Sequence, residues 1–393
     1  MTIKAVISRA EPIEPSLAGA NVFIHKENAI VGSGEAVRIT AQGPDRIQEL
    51  SQAWKELLAS AEIENQSGID SAGLIALTSI AFSDNSAAES VLVIPAQTYV
   101  LQEGNCYLVS VSAPKASAEL EETAAEFEIG SQPRKSFVSA VERALEQISR
   151  GELEKVVLAR DLVMPIGKEP NLAEPLAKLR SRYPHCWVYK VDRVFGASPE
   201  LLLRADHGEV SARVLAGTAG RGTDPDVDRA IADGLAHSMK NKHEHDYAVQ
   251  SLVSELEPIC GFVEADKEPF SLALPDLWHL ATDVRGVLKD DTSLLDAIAR
   301  LHPTAAVAGT PRDKGLELIS ELEPFDRAGY AGPVGWLSSN GSGEIAIALR
   351  GGVIEDTQIR AMAGCGIVGE SDPAAELAET ELKFQAVRWA FSN

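Results

Sequence analysis

One lysine opens a very regular apolar run. Lys155 is followed by Val-Val-Leu-Ala at residues 156–159, a pattern that predicts a β-strand beginning at the lysine. Apolar neighbours would disfavour the charged ammonium and lower its pKa, so that the lysine could act as a base. The alternative is an ordinary lysine at the end of a strand with its ammonium group in solvent.

A glutamate occupies a comparable position in a second segment. Glu200 follows the Gly-Ala-Ser-Pro sequence of residues 196–199 and precedes three leucines at residues 201–203. A tight turn followed by a strand is therefore predicted. A carboxyl group held against apolar walls has a raised pKa and can donate a proton. The alternative is a capping or solvated glutamate.

The sequence His243-Glu244-His245 lies in a long predicted helix and resembles a metal-binding motif. Residues two apart on an α-helix point about 200° away from each other, so these histidines cannot share one ion. The zinc-protease pattern HExxH is absent because residue 248 is alanine. Glu244, alone or with a carboxylate from elsewhere, is the better candidate metal ligand.

Three charged residues share one face of the C-terminal helix. Glu376, Glu379 and Lys383 are spaced by three and four residues. The spacing is compatible with an exposed charged face and an ordinary ion pair. It is equally compatible with a site for a hard cation, because magnesium prefers oxygen ligands and often takes one or two carboxylates.

Arg350 and two glycine-containing segments are candidates for anion binding. Arg350 ends a predicted strand, the Gly-Cys-Gly sequence of residues 364–366 follows another, and Gly217-Thr218 belongs to a predicted turn. Glycines in turns let backbone N–H groups approach a carboxylate closely. A plain turn is the alternative for each, and the strand–helix context of a Walker loop or a dinucleotide fingerprint is absent.

Charge excludes some partners. The 393 residues include 58 acidic and 36 basic ones, for a net charge of −22. We therefore expect no nucleic-acid partner, since phosphate binding needs a basic surface, and no anionic membrane surface. An acidic protein that binds an anionic substrate must concentrate its cations locally or use a metal ion.

Cysteines and hydropathy indicate the compartment. The four cysteines, Cys106, Cys186, Cys260 and Cys365, form no CxxC pair, so reduced thiols are expected. Residues 1–15 lack the pattern of a signal peptide, and no apolar run approaches the roughly 20 residues of a membrane helix. We expect a cytoplasmic monomer.

The predicted elements alternate irregularly. Strands are predicted at residues 74–82, 91–94, 107–111, 155–160, 187–191, 201–203, 210–215, 345–350 and 358–362. Helices are predicted at residues 45–58, from about 133 to 150, at 224–256 with room for a bend, and after 372, with a connection or surface helix at 113–131. A repeating βαβ pattern is absent, which favours an α+β sheet sandwich over a doubly wound fold.

Eight segments carry a resemblance to a known family. They are GELEKVVLAR (151–160), GASPELLL (196–203), LAGTAGRG (215–222), KHEHDYAVQ (242–250), WHLATDVRG (278–286), LHPTAAVAGTP (301–311), ELEPFDRAGYAGPVGW (321–336) and AGCGIVGESDPAAELAETELK (363–383). In this order they resemble the chorismate-utilising enzymes, and among them the isochorismate synthases. The resemblance covers about residues 130–390.

The resemblance implies a fold and its division. It implies a large single-domain α/β sandwich with mainly antiparallel sheets in the centre and helices outside. Residues 126–393 would form the chorismate-binding catalytic region, and residues 1–125 a variable N-terminal part of the same fold.

The resemblance also implies residue roles. Lys155 would be the general base that activates water, and Glu200 the general acid that protonates the departing hydroxyl group. Glu244 and Glu379 would hold Mg²⁺. A carboxylate of chorismate would bind Arg350 and the Gly364 backbone, and the other pocket residues would be Gly217, Thr218, His279, Ala306, Tyr330 and Lys383.

The implied activity is the magnesium-dependent conversion of chorismate to isochorismate, by water attack at C2 with loss of the C4 hydroxyl. A base and an acid on opposite sides of the substrate would each contribute about 10²–10⁴ in rate. Aminating relatives tend to have glutamine where this chain has Lys155, which favours water as the nucleophile. The product would serve siderophore or menaquinone biosynthesis. The alternatives are a salicylate synthase, which goes on to eliminate pyruvate, and, less favoured, a non-catalytic chorismate-binding protein.

Overall fold

The computed structural model describes residues 3–113, 120–122, 126–290 and 292–392. Up to residue 113 the chain forms β1 (Lys4–Arg9), β2 (Asn21–His25), β3 (Asn28–Ser33), β4 (Val37–Ala41), α1 (Arg46–Ser60), β5 (Glu62–Asn65), β6 (Ile75–Ser79), β7 (Ser90–Ile94), β8 (Gln97–Gln102) and β9 (Asn105–Ser110). Residues 126–290 form β10 (Glu128–Ile129), α2 (Arg134–Ser149), β11 (Lys155–Pro165), α3 (Ala173–Arg182), β12 (Trp187–Val191), β13 (Val194–Ser198), β14 (Leu201–Asp206), β15 (Glu209–Gly220), α4 (Pro225–His237), α5 (Met239–Leu256), β16 (Cys260–Ala265), β17 (Phe270–Ala273) and β18 (Leu277–Leu288). The remainder forms α6 (Leu294–Leu301), β19 (Gly309–Thr310), α7 (Arg312–Leu322), β20 (Pro333–Ser338), β21 (Gly343–Ile347), β22 (Gly351–Ile354), β23 (Gln358–Val368) and α8 (Pro373–Ala390).

Two large sheets organise the described residues. The first sheet has 13 strands in the order β10-β11-β23-β22-β13-β12-β2-β3-β8-β9-β1-β5, with β19 paired to β11. The second has 10 strands in the order β16-β18-β15-β14-β21-β20-β6-β7-β4, with β17 paired to β18. Among these pairings β1 with β5 is parallel and the others are antiparallel. The predicted α+β sandwich with mainly antiparallel sheets is confirmed.

One continuous apolar core joins the two sheets. It contains Ile30 and Tyr189 from the first sheet together with Leu203 and Trp336 from the second. Helices cover the outer surfaces, with α5 packed on β15 and α8 packed on β23. Strands such as β7 and β20 are buried along their whole length, which explains why they have continuous apolar sequences rather than alternating ones.

The N-terminal residues contribute strands to both sheets. β1, β2 and β3 lie in the first sheet, whereas β4, β6 and β7 lie in the second. The part before residue 113 is therefore built into the same two sheets as the rest of the described chain. The proposed division between residues 125 and 126 stays a prediction.

The predicted strands and main helices overlap observed ones, with local differences. The helix predicted at residues 224–256 is broken at Ser238, which adopts an extended conformation and accepts a hydrogen bond from the Asn241 N–H, so that it caps α5. Asp45 precedes α1 but makes no side-chain capping hydrogen bond. Of residues 113–131, residues 114–119 and 123–125 lie outside the described part of the chain, and the described remainder contains β10 and no helix.

Three predictions about glycine turns and Arg350 are wrong. Gly217 and Thr218 lie within β15, where the register shifts, and residues 364–366 lie within β23, paired with β11. Long-range strand pairing overrides the turn preference of the glycines in both segments. Arg350 does not end a strand, because β21 stops at Ile347 and Arg350 adopts a left-handed φ of 54° before β22.

No helix of the described residues is long and apolar enough to span a membrane.

A buried ion pair ties β11 to the segments beside it. Both side chains of Glu323 and Arg327 are 2% exposed, with 2.5 Å between Arg327 Nη2 and Glu323 Oε1. Arg327 also donates to the Val157 and Val307 carbonyl oxygens, at 2.7 and 2.9 Å. Glu323 accepts from the Ala159 N–H at 2.7 Å. The pair therefore provides hydrogen-bond partners for one backbone N–H group and two backbone carbonyl groups.

We expect Arg327→Met to lower the free energy of unfolding by about 3–5 kcal/mol, because it leaves the Glu323 carboxylate buried without its partner. Urea denaturation followed by circular dichroism measures the change. The control is Lys314→Met, which breaks an exposed pair with Glu317 on α7 and should leave the free energy of unfolding nearly unchanged. Equal losses in the two variants would contradict the assigned role of burial.

Candidate active site

One cavity brings together side chains that the sequence separates. The space between its lining residues amounts to about 600 Å³, open solvent included. All the predicted site residues except Lys155 line it, namely Glu200, Gly217, Thr218, Glu244, His279, Ala306, Tyr330, Arg350, Gly364, Glu379 and Lys383.

Lys155 lies behind the cavity wall. It opens β11 as predicted, it is fully buried, and the alternative of a solvent-exposed lysine is wrong. Its Nζ lies 3.3 Å from Glu244 Oε1, and Glu244 lines the cavity. No other described residue satisfies this ammonium, and even Glu244 lies outside hydrogen-bonding geometry. The Nζ atom is therefore close to the cavity and has no hydrogen-bond partner among the described residues.

Gly366 makes this approach of lysine and glutamate possible. A Cβ at Gly366 would lie 2.3 Å from Glu244 Oε1 and 3.0 Å from Lys155 Cε, both too close. The glycine is needed for the space it leaves for side chains on β11 and α5. The Gly-Cys-Gly sequence pointed to this position, but spacing in the sequence cannot show which side chains converge there.

Glu200 occupies the turn between β13 and β14. Its backbone N–H donates to Ser198 Oγ at 3.2 Å, which fixes the residue after Pro199. Burial raises the pKa of its carboxyl group to about 7, although the Leu215 N–H and the cations Lys155, Arg350 and Lys383 act in the opposite direction. A substantial share of Glu200 is therefore protonated at neutral pH and able to donate.

A chain of hydrogen bonds orients Arg350. Arg350 Nη2 lies 2.8 Å from His279 Nε2, and His279 Nδ1 lies 3.1 Å from Thr218 Oγ1. Arginine can only donate, so Nε2 accepts and Nδ1 carries the proton. Burial, with the nearby Arg350 and Lys383, holds the pKa of His279 well below its ordinary value, in agreement with a neutral ring.

Lys383 places a second cation at the cavity. Its Nζ donates to Glu379 Oε1 at 2.6 Å and to the Gly364 carbonyl oxygen at 2.7 Å. Burial alone would lower the pKa of Lys383, but the Glu379 carboxylate more than offsets it and raises the pKa above its ordinary value. Lys383 therefore stays charged, and together with Arg350 it provides the local positive charge that an anionic ligand needs in this acidic protein.

Two carboxylates reach the cavity from different helices. Glu244 comes from α5 and Glu379 from α8, and Glu376 is buried without lining the cavity. His245 instead points to the Ala216 carbonyl and to Thr282 Oγ1, at 3.2 and 2.7 Å, while His243 is exposed. As expected for helical spacing, the two histidines lie on different sides of α5.

Arg327 is a cavity residue that sequence reasoning missed. It lines the cavity while its guanidinium holds Glu323 and two backbone carbonyls. Its spacing of four from Glu323 was the available local signal, but the Val157 and Val307 carbonyls that it binds lie far away in the sequence.

Curated proteins similar to this chain are named as isochorismate synthases. The match is 38% identical to isochorismate synthase MenF of Bacillus subtilis over 253 residues, which are 63% of this chain and 54% of that protein. It is 34% identical to isochorismate synthase EntC of Escherichia coli, over 64% of this chain and 66% of that protein. The matched part spans about half to two thirds of the length of these relatives.

Solved structures extend the likeness over nearly the whole chain. A Bacillus anthracis protein assigned as a 2,3-dihydroxybenzoate-specific isochorismate synthase, DhbC, superposes with a TM-score of 0.79 at 28% identity, covering 95% of this chain and 96% of that one. Anthranilate synthase component I of Streptococcus pneumoniae has a TM-score of 0.75 at 19% identity, covering 96% of this chain and 94% of that one, and shows that it shares the fold.

The sequence profile of one family covers most of the chain. Two overlapping matches, to residues 11–132 and 112–392, are described as chorismate binding enzyme. They include the residues that line the cavity. The chain belongs to the chorismate-binding enzyme family.

Proposed function

We propose that this protein is an isochorismate synthase, which converts chorismate to isochorismate. The observation that carries the proposal is a cavity lined by a buried glutamate, Glu200, whose pKa is about 7, with the buried Lys155 held behind its wall against Glu244. Membership of the chorismate-binding family indicates the substrate class, and the relatives named above indicate the reaction.

The proposed chemistry needs one proton taken and one proton given. Lys155, in its neutral form, takes a proton from the water that attacks C2 of chorismate. Glu200, in its protonated form, gives its proton to the C4 hydroxyl, which leaves as water. The base and the acid act on different oxygen atoms. The attacking water therefore need not become free hydroxide first, and the departing hydroxyl group need not leave as hydroxide.

The cations of the cavity fit a dianionic substrate. Arg350 is oriented by His279, and Lys383 is held between Glu379 and the Gly364 carbonyl. We propose that Arg350 and the Gly364 backbone receive one carboxylate of chorismate. Gly217, Thr218, Ala306 and Tyr330 would complete the pocket.

The acidic residues fit a magnesium ion. No group of three or more histidine, cysteine, aspartate or glutamate side chains suited to a metal occurs among the described residues. Glu244 and Glu379 nevertheless line one cavity, and magnesium often takes one or two protein carboxylates, with water and substrate completing its shell. We propose that these two glutamates hold Mg²⁺. The ion would neutralise the ring carboxylate of chorismate and fix its position.

We expect Lys155→Ala and Glu200→Gln each to lower kcat about 10²–10⁴-fold, the usual contribution of a general base or acid. Chromatography of products from chorismate measures the rate. The matched controls are Lys4→Ala, an exposed lysine that also opens a strand, and Glu344→Gln, a buried glutamate with a raised pKa away from the cavity.

Either site variant working at the normal rate would contradict the assigned role. The same chromatograms test the salicylate synthase alternative. Pyruvate and salicylate rising together in the wild-type reaction would favour that enzyme, whereas isochorismate alone supports a synthase that stops there.

We expect kcat/KM for chorismate to fall as the pH rises above about 7, because Glu200 donates only when protonated and its pKa is about 7. The acid form dominates below this pH and is lost above it, at about tenfold per pH unit in the limiting slope. A pH–rate profile of the wild type measures the midpoint. The pH–rate profile of the residual activity of Glu200→Gln should lack this midpoint. A midpoint that persists in the variant would have to be assigned to a group other than Glu200.

We expect Glu244→Gln and Glu379→Gln each to weaken Mg²⁺ binding by more than about tenfold, since even outer-shell partners cost 10–100-fold. Isothermal titration calorimetry with Mg²⁺, in the presence of isochorismate, measures affinity without relying on turnover. The control is Glu255→Gln, which also lies on α5 but pairs with Arg300 and Arg312. Unchanged affinity in both site variants would place the ion elsewhere.

A further inference from the structure

Glu200 borders a second cavity on the side away from the substrate pocket. The space between its lining residues amounts to about 230 Å³, open solvent included, and the room inside it suits no more than about one water molecule. Glu200 and Ala306 line both cavities, so the Glu200 side chain is part of the wall between them. The role proposed above uses one side of that wall.

The second cavity is apolar apart from a few groups. Leucine, valine, alanine and isoleucine side chains form most of its lining, and Glu200, Arg213 and Thr304 are the polar side chains among the described residues there. Thr304 is 7% exposed, and its Oγ1 has no hydrogen-bond partner in the described part of the chain. A buried hydroxyl without a partner is destabilising, and a bound water molecule is the usual solution.

The backbone holds Thr304 in place. Its carbonyl oxygen accepts from the Val307 and Ala308 N–H groups, at 3.1 and 2.9 Å. The same turn carries Ala306, which touches both cavities. The unpartnered hydroxyl therefore belongs to a fixed turn beside the general acid.

The catalytic cycle leaves a proton to be returned. At each turnover the O–H bond of Glu200 breaks and its proton leaves on the departing hydroxyl as water, while a proton of the attacking water is bound by Lys155. Before the next turnover the Glu200 carboxylate must gain one proton and the Lys155 ammonium must lose one. While product still occupies the first cavity, a route to Glu200 from the second cavity lets the proton return before product leaves.

We infer that Thr304 positions a water molecule in the second cavity and that this water returns the proton to Glu200. The inference rests on the proposed function, in which Glu200 is the general acid. The proton comes from solvent, and the water that donates it to Glu200 is itself reprotonated from solvent. Arg213 lines the cavity with a side chain that is 29% exposed, and Asp283 holds its guanidinium at 2.6 and 2.8 Å. Thr304 is a positioning residue, since it acts through the water.

The test replaces the Thr304 hydroxyl without changing the shape of the side chain. We expect Thr304→Val to lower kcat for chorismate about tenfold, less than the 10²–10⁴ of direct acid loss, with KM changed less than about twofold. The solvent deuterium isotope effect on kcat should rise above that of the wild type, because proton return becomes slower. Thr304→Ser, which keeps the hydroxyl, should restore both values. The control is Ser338→Ala, which removes another buried hydroxyl without a partner, at the end of β20.

The outcomes separate the two proposals. Wild-type kcat and isotope effect in Thr304→Val, with the wild-type protein making isochorismate, overturn the water path and leave the proposed function standing. A wild-type protein without isochorismate synthesis overturns both. A crystal structure adds a readout independent of turnover: a water within hydrogen-bonding distance of Thr304 Oγ1 and the Glu200 carboxyl supports the path, and an empty second cavity overturns it.

Discussion

The buried ammonium of Lys155 is the constraint on which the site depends. A fully buried charge without a partner costs several kcal/mol, so a carboxylate has to approach it. Glu244 does so at 3.3 Å, from a helix on the other sheet. This approach requires that residue 366 has no side chain, because a Cβ there would collide with both partners. The burial of one lysine thus goes together with a carboxylate from α5 and with a glycine at residue 366.

Elsewhere in the cavity, burial keeps both an acid and a base in their uncharged forms. It raises the pKa of Glu200 so that the acid form persists at neutral pH, and it keeps His279 neutral so that the ring can accept from Arg350. Lys383 stays charged in similar surroundings because Glu379 lies 2.6 Å away. The protonation states of Glu200, His279 and Lys383 therefore depend on which of these buried groups has an oppositely charged neighbour and which does not.

Two antiparallel sheets supply the rigidity for these positions. β11 and β23 pair along eleven residues, and the Glu323–Arg327 pair holds the other side of β11. Strands and helices from both sheets meet at the cavity, so a displacement of either sheet would change the distance between acid and base. The same packing leaves the second cavity behind Glu200, where Thr304 has no protein partner among the described residues.

The sequence by itself determined what depends on neighbours along the chain. The strand that starts at Lys155, the turn before Glu200 and the caps at Asp224 and Asp372 follow from residue type and from periods of two and 3.6. Resemblance of eight segments to one family further indicated which residues share a pocket. Tertiary structure alone decided the strand pairing that absorbs the glycines of β15 and β23, the left-handed conformation of Arg350, the role of Arg327 and the isolation of Thr304. These features depend on contacts between residues far apart in the chain, and spacing along the sequence contains no measure of such distances.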